Sequence, residues 1–66
     1  MQEVKVLLQR EGDAALIAWQ HESGNVEFVT TSAYHEDGTW NWGNYFGNDL
    51  EKALEDYKKR AGIGDD

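Results

Sequence analysis

Apolar residues recur at every second position near the start of the chain, which is the period of a β-strand with one buried face, and two further strand-like runs follow. Val4, Val6 and Leu8 share one face of the first such run. The second run, residues 14–21, is apolar on both faces, as is typical of a strand at the centre of a sheet or one shaded by long side chains. The third run, residues 26–34, is rich in β-branched and aromatic residues. The pattern therefore predicts three consecutive strands.

Turn-forming residues separate the predicted strands. Residues 10–13 end the first run and residues 22–25 end the second. Asp37 followed by Gly38 is a strong hairpin signal, and it reverses the chain into a short fourth strand over residues 40–42. Residues 44–46 stand between two glycines and are predicted to connect this strand to a helix.

The last third of the chain contains one strong helical pattern. Apolar residues recur at helical spacing and form a single stripe: Leu50, Ala53, Leu54, Tyr57 and Ala61. Asn48 is predicted to cap the N-terminus in a reciprocal arrangement with Glu51, and Gly62 to end the helix. Acidic residues fill the first turns and basic residues the last, which suits the helix dipole.

One apolar helical stripe requires one apolar sheet face. We therefore predict an α+β fold, an antiparallel meander of three or four strands packed against one C-terminal helix. Residues 1–62 form a single predicted domain, and residues 63–66 a frayed acidic tail. The predicted core consists of Val4, Val6, Leu8, Ile17, Trp19, Val26, Phe28, Leu50, Leu54 and Tyr57.

Composition excludes more functions than it indicates. The 66 residues carry 6 Lys and Arg against 13 Asp and Glu, a formal net charge of −7. Direct binding to nucleic acid or to an anionic membrane is therefore disfavoured. The absence of cysteine excludes disulfides, thiolate zinc sites and thiol catalysis. Because the sequence has neither an apolar run of membrane-spanning length nor a signal-peptide pattern, the predicted location is the cytoplasm.

Four carboxylates are predicted to converge at one end of the sheet, because the first and third turns of a meander lie at the same end. They are Glu11, Asp13, Glu36 and Asp37. Such an acidic edge suits a basic patch on a protein partner. The alternative interpretation is a set of solvated turns that keep the domain soluble. The spacing of a calcium-binding loop is absent from the sequence.

The second candidate site is the aromatic loop, residues 40–46, which holds four aromatic residues in seven positions. Trp40, Trp42 and Tyr45 are predicted to offer flat, amphipathic contact area to a protein partner. Alongside the neighbouring asparagines they also suit a sugar or a nucleobase. The alternative is that most of these rings pack at the edge of the core.

No motif in the sequence indicates catalysis. His21 and His35 fall at opposite ends of the predicted sheet, so we expect no shared metal site. The sequence lacks a P-loop, a dinucleotide-binding glycine pattern, a zinc-protease motif and a nucleophile elbow. A domain of this size also leaves little room for an enclosed cleft beside its core. We expect no enzymatic activity, no cofactor and no resident metal.

The favoured hypothesis is a small, acidic, non-enzymatic module that binds a protein partner through the acidic edge and the aromatic loop. A homodimer formed through an unpaired edge strand is a second form of this hypothesis. Two alternatives remain open: a nucleic-acid mimic that inhibits a DNA-binding or nuclease system, and a binder of small ligands or carbohydrates through the Trp and Tyr residues of the loop. All of these functions use an open surface rather than an enclosed cleft.

Overall fold

The computed structural model describes residues 2–62 and shows an α+β fold, an antiparallel four-stranded sheet packed with a single C-terminal helix. The strands are β1 (Val4–Glu11), β2 (Ala14–Gln20), β3 (Val26–Thr31), β4 (Ala33–Tyr34), β5 (Trp40–Asn41) and β6 (Asn44–Tyr45). The helix is α1 (Leu50–Ala61). The predicted fold class is confirmed. The predicted acidic tail, residues 63–66, lies outside the described residues.

The main sheet has the strand order β1-β2-β3-β6, and each neighbouring pair is antiparallel. β2 lies between β1 and β3, as its two apolar faces predict. Its residue Ala18 stands between Val6 on β1 and Phe28 on β3. The β1–β2 ladder is interrupted by a bulge between Leu7 and Gln9. A bulge of this kind bends an edge strand, and pairing with β2 resumes after it, from Gln9 to Glu11, with the register shifted by one residue.

The fourth strand of the sheet is not the one that the hairpin signal predicts. Residues 40–42 contribute β5, which pairs with β4 in a separate two-stranded sheet. Residues 44–45, predicted as a connection, instead form β6 beside β3. The cause lies at the end of β3, where Thr31 is fully buried. Its Oγ1 donates to the Asn41 carbonyl and accepts from the Ala33 amide, so the chain leaves the main sheet there.

The two faces of the sheet are covered by different elements. On one face, α1 packs against β2 and β3. The buried residues of this face are Ala14, Leu16, Ala53 and Tyr57. On the other face, the β4–β5 hairpin supplies Tyr34 and Trp40 to a second cluster. The buried residues of that cluster are Ala15, Ile17 and Val29. The centre of the fold therefore has three layers: helix, sheet and hairpin.

Five members of the predicted core are exposed instead. They are Val4, Val6, Leu8, Val26 and Leu50, each 40–48% exposed. A helix is about 10 Å across and neighbouring strands are about 4.8 Å apart, so one helix covers about two strands. Because α1 packs over β2 and β3, it leaves the outer strand β1 uncovered. Val26 and Leu50 stand at the first positions of their elements.

The rest of the predicted core lies inside the fold. Ile17 and Tyr57 are buried. Trp19, Phe28 and Leu54 are half-buried. Leu16 and Val29, which the prediction left out, are almost fully buried, one on each face of the sheet.

The cap of α1 is one residue later than predicted. Asp49, not Asn48, is the N-cap, and its Oδ1 accepts a hydrogen bond from the Lys52 amide at 3.1 Å. A carboxylate at this position also gains from the helix dipole, which a neutral amide does not. Gly62 ends the helix in the left-handed conformation with a φ of 73°, as predicted.

A cluster of polar side chains ties α1 to β3. Asp56 Oδ2 accepts hydrogen bonds from Thr30 Oγ1 and from Arg60 Nε, both at 2.5 Å. Arg60 Nη1 also donates to Ser32 Oγ at 2.8 Å. Partial burial raises the pKa of Asp56, but the two hydrogen bonds and the Arg60 charge outweigh it. The pKa of Asp56 therefore lies below its ordinary value.

We predict that Asp56→Asn lowers the free energy of unfolding at pH 7 by about 1–3 kcal/mol, because it removes hydrogen bonds to a charged acceptor. A carboxylate with a depressed folded-state pKa stabilises the fold above its unfolded pKa of about 3.9, and this contribution disappears as the pH falls through the folded value. The difference between the wild type and the variant should therefore shrink in acid. Urea unfolding at neutral and acidic pH measures both effects.

Glu55→Gln is the matched control, since it makes the same charge change at an exposed position one residue earlier. It should leave the urea midpoint nearly unchanged. A difference between wild type and Asp56→Asn that stays constant from pH 7 into acid would contradict the assigned role of the carboxylate.

Candidate functional site

β1 is an edge strand with one side unpaired within the described sheet. All 8 of its residues are exposed. Val4 and Val6 lie on the helix side, because their β2 partners, Gln20 and Ala18, are on the same face of β2 as the helix-facing Leu16. The four apolar residues of the strand, here called the β1 patch, are each 42–48% exposed: Val4, Val6, Leu7 and Leu8. Unpaired backbone groups beside exposed apolar side chains form a template for a further strand.

The first two residues of the predicted acidic edge lie in different surroundings. Glu11 is opposite Ala14, on the helix side of the sheet. Burial raises the pKa of Tyr57 on α1, and the charge of Glu11 raises it further. Asp13 stands in the turn between β1 and β2. Its carbonyl accepts a hydrogen bond from the Tyr34 amide at 3.0 Å, which ties the β4–β5 hairpin to this turn.

The other two acidic residues, Glu36 and Asp37, are exposed in the turn of the hairpin that covers the opposite face. Asp37 Oδ1 accepts hydrogen bonds from Thr39 Oγ1 at 2.6 Å and from the Thr39 amide at 3.0 Å. These bonds hold the pKa of Asp37 below its ordinary value. Within residues 2–62, no group of three or more His, Asp or Glu side chains is placed to hold a metal ion. Glu11 therefore lies on the helix side of the sheet, and Glu36 and Asp37 lie on the hairpin that covers the opposite face. The convergence of the four carboxylates at one end of the sheet stays a prediction.

The aromatic side chains of the loop differ in exposure: some pack against the sheet and one projects into solvent. Trp40 is half-buried against the sheet. Trp42 is 83% exposed and has a φ of 52°, in the left-handed region. Tyr45 is half-exposed on β6, and its Oη accepts a hydrogen bond from Trp40 Nε1 at 3.3 Å. Trp40 and Tyr45 therefore form one unit, while Trp42 projects into solvent.

Trp40 and Tyr45 share a small pocket with three residues that were not among the predicted site residues. This aromatic pocket has a volume of about 210 Å³ and is lined by Lys5, Trp19, Thr39, Trp40 and Tyr45. Lys5 and Trp19 are cross-strand partners on β1 and β2 and therefore share a face. Strand alternation extended from the β1–β2 turn would place Lys5 opposite Gln20, and only the bulge between Leu7 and Gln9 shifts the register to give the Lys5–Trp19 pair. Its meeting with Trp40 depends on how the hairpin folds back, which is a tertiary feature.

Gly43 allows the wall of the aromatic pocket to close. A Cβ at this position would lie 2.6 Å from Trp40 Nε1 and 3.1 Å from Tyr45 Oη, both inside van der Waals contact. The loop backbone can therefore approach the indole and the phenol together only where the residue has no side chain. Glycine at position 43 is thus a packing requirement of the pocket.

The two histidines belong to separate parts of the surface. His21 Nε2 pairs with Glu27 Oε1 at 2.8 Å, and its ring lies 4.5 Å from the Trp19 ring between centroids. This pair borders an open depression of about 450 Å³ near the start of β3. His35 Nε2 lies 3.1 Å from Asn41 Nδ2 within the hairpin. Each histidine therefore has its own local partner.

Comparison with models of protein families, with curated protein sequences and with solved structures finds no match to this chain. Within residues 2–62, the structure contains no helix with the length and apolar content that crossing a membrane requires. The function therefore has to be inferred from two surfaces, the β1 patch and the aromatic pocket.

We predict that Gly43→Ala displaces the Trp40 indole and lowers the free energy of unfolding by about 1–3 kcal/mol, the usual cost of overpacking. The displacement should also shift the tryptophan fluorescence maximum to longer wavelength as the ring moves toward water. Thermal unfolding and emission spectra measure the two effects.

Asn44→Ala, an exposed change at the next position, is the control and should alter neither measurement appreciably. If Gly43→Ala kept both the midpoint and the spectrum of the wild type, the close packing of Gly43 against Trp40 would be wrong.

Proposed function

We propose that this chain is a non-enzymatic protein-interaction module that accepts an extended segment of a basic protein partner as an additional strand beside β1. The observation that carries this proposal is that every residue of an edge strand is exposed and that the middle of this strand is apolar. Edge strands in monomeric proteins are normally shortened, charged or covered. The open edge of β1 is 8 residues long and carries the β1 patch.

The backbone and the side chains of β1 supply different parts of the interaction. The unpaired amide and carbonyl groups give affinity to any extended chain, and the alternating side chains give preference for particular residues. The bulge after Leu7 leaves residues 4–7 as the longest part of β1 in unbroken register. A partner strand that pairs there buries its own apolar side chains against Val4 and Val6 on the helix side.

Charge favours a basic partner over a second copy of the chain. The net charge is −7, and residues 1–47 carry seven acids against Lys5 and Arg10. The acidic residues at the ends of the β1–β2 and β4–β5 turns would steer a basic segment toward β1. Two copies of this chain instead repel each other before their edges meet. Pairing of two copies through β1 is therefore less favourable than pairing with a basic segment.

The nucleic-acid mimic remains a prediction beside this proposal, as does a cytoplasmic location. Mimicry requires surface carboxylates that follow the spacing of phosphates, and it would appear as competition with duplex DNA for a basic groove at low salt.

The proposal predicts that a short peptide alternating lysine and valine binds at least about tenfold more tightly than its glutamate–valine counterpart at low ionic strength, with the gap narrowing as salt is added. Binding should slow hydrogen exchange of the outward-facing β1 amides. Calorimetry measures the affinities, and exchange followed by NMR identifies the strand. Protection elsewhere, or equal binding of both peptides, would overturn the proposal.

Val6→Lys tests the edge itself and should weaken binding of the lysine–valine peptide about tenfold, since it removes one buried valine contact and adds a repelling charge. Asn44→Lys makes the same charge change on β6, the opposite edge strand, and should have a much smaller effect. Sedimentation of the free protein reveals any self-association. A concentration-dependent dimer that Val6→Lys abolishes, without peptide binding, would replace the basic partner with a second copy.

A further inference from the structure

The aromatic pocket presents three rings to one small volume. The Trp19 and Trp40 rings meet edge to face, with centroids 5.8 Å apart and an interplanar angle of 81°. The Tyr45 ring lies 6.3 Å from Trp19. Rings set at steep angles to one another form a corner whose negative faces can contact one positive charge from more than one side, whereas a flat ligand stacks on one ring at a time. Such an arrangement suits a compact positive charge better than a flat ligand.

A positive charge already lies against two of these rings. Lys5 Nζ lies 4.9 Å from the Trp19 ring centroid and 5.4 Å from that of Trp40. Both distances fall within the roughly 6 Å over which a cation is attracted to an aromatic face. Lys5 is an exposed residue on β1, so its flexible side chain can leave the pocket without disturbing the sheet.

We propose that the aromatic pocket is an alkylammonium-binding site whose Trp19 and Trp40 rings are contacted in this structure by the ammonium group of Lys5. An external cation displaces the Lys5 ammonium and takes its place against Trp19 and Trp40. Lys5 thus acts as an internal competitor that lowers the apparent affinity by the fraction of time it occupies the pocket. This site is distinct from the backbone edge of β1 and stands on the ring geometry alone.

Size and charge narrow the ligand class. The volume of about 210 Å³ is below the roughly 300–1,000 Å³ of pockets that hold drug-sized ligands. It suits one ammonium head group better than a sugar ring with its hydration. The net charge of −7 concentrates cations near the surface and repels anions. Quaternary ammonium is the most favoured form, since it has little hydration to lose.

The rings are also held in place before a ligand arrives. Tyr45 Oη accepts from Trp40 Nε1, and Gly43 lets the loop backbone press against both side chains. A preorganised wall saves the ordering cost that a mobile loop would impose on a weak ligand.

The test follows the three indole N–H signals of the protein by NMR during titration with choline. Trp19 and Trp40 should shift with a common saturation curve, and the solvent-exposed Trp42 should stay in place as an internal control. 3,3-Dimethylbutanol, the neutral carbon analogue of choline, should bind at least about threefold more weakly. N-acetyl-trimethyllysine amide, run in parallel, distinguishes a protein side chain from a free small cation as the natural source of the head group.

Two variants distinguish competition by the Lys5 ammonium from the general effect of removing one positive charge. Lys5→Met should bind choline about 3–10-fold more tightly than wild type, because the internal competitor is gone. Arg10→Met is the matched control: it removes one positive charge from the same strand, where Arg10 lies over the Tyr34 ring and not over the pocket. Equal gains in both variants, equal binding of the neutral analogue, or shifts at Trp42 as large as those at Trp19 would overturn the proposal.

Discussion

The structure depends on β2, a strand that must be buried on both faces. Leu16 points to one face and Ile17 to the other, and both are almost completely buried. Within residues 2–62, two elements are available to cover them, the C-terminal helix and the β4–β5 hairpin. Both are placed over β2 and β3, where the most apolar area is removed from water.

The exposure of β1 follows from this allocation. α1 covers β2 and β3 on one face of the sheet, and the hairpin packs on the opposite face. Within the described residues, neither element pairs with the free edge of β1. The same allocation forms the aromatic pocket, because the hairpin brings Trp40 over Trp19 beside the open strand. Both proposed binding surfaces therefore arise because the helix and the hairpin do not cover the whole sheet, and Lys5 lies where the two surfaces adjoin.

Local signals predicted most of the elements. The three strands, the turns between them, the helix and its closing glycine are all present in the structure. They were readable because each depends on short-range periodicity or on backbone preferences of a few residues. The N-cap was misplaced by one residue for the same reason, since Asn48 and Asp49 are both good caps and only the hydrogen bond to Lys52 distinguishes them.

The sequence by itself determined that β2 is central, that one helix packs on an antiparallel sheet and that the chain is strongly acidic. Only the tertiary structure decided that Val4 and Val6 stay exposed, that residues 44–45 form the fourth strand and that Lys5 meets two tryptophans. Periodicity shows which residues of a strand share a face, but it does not show which face another element packs against. That choice depends on competition among distant segments for the same apolar surface.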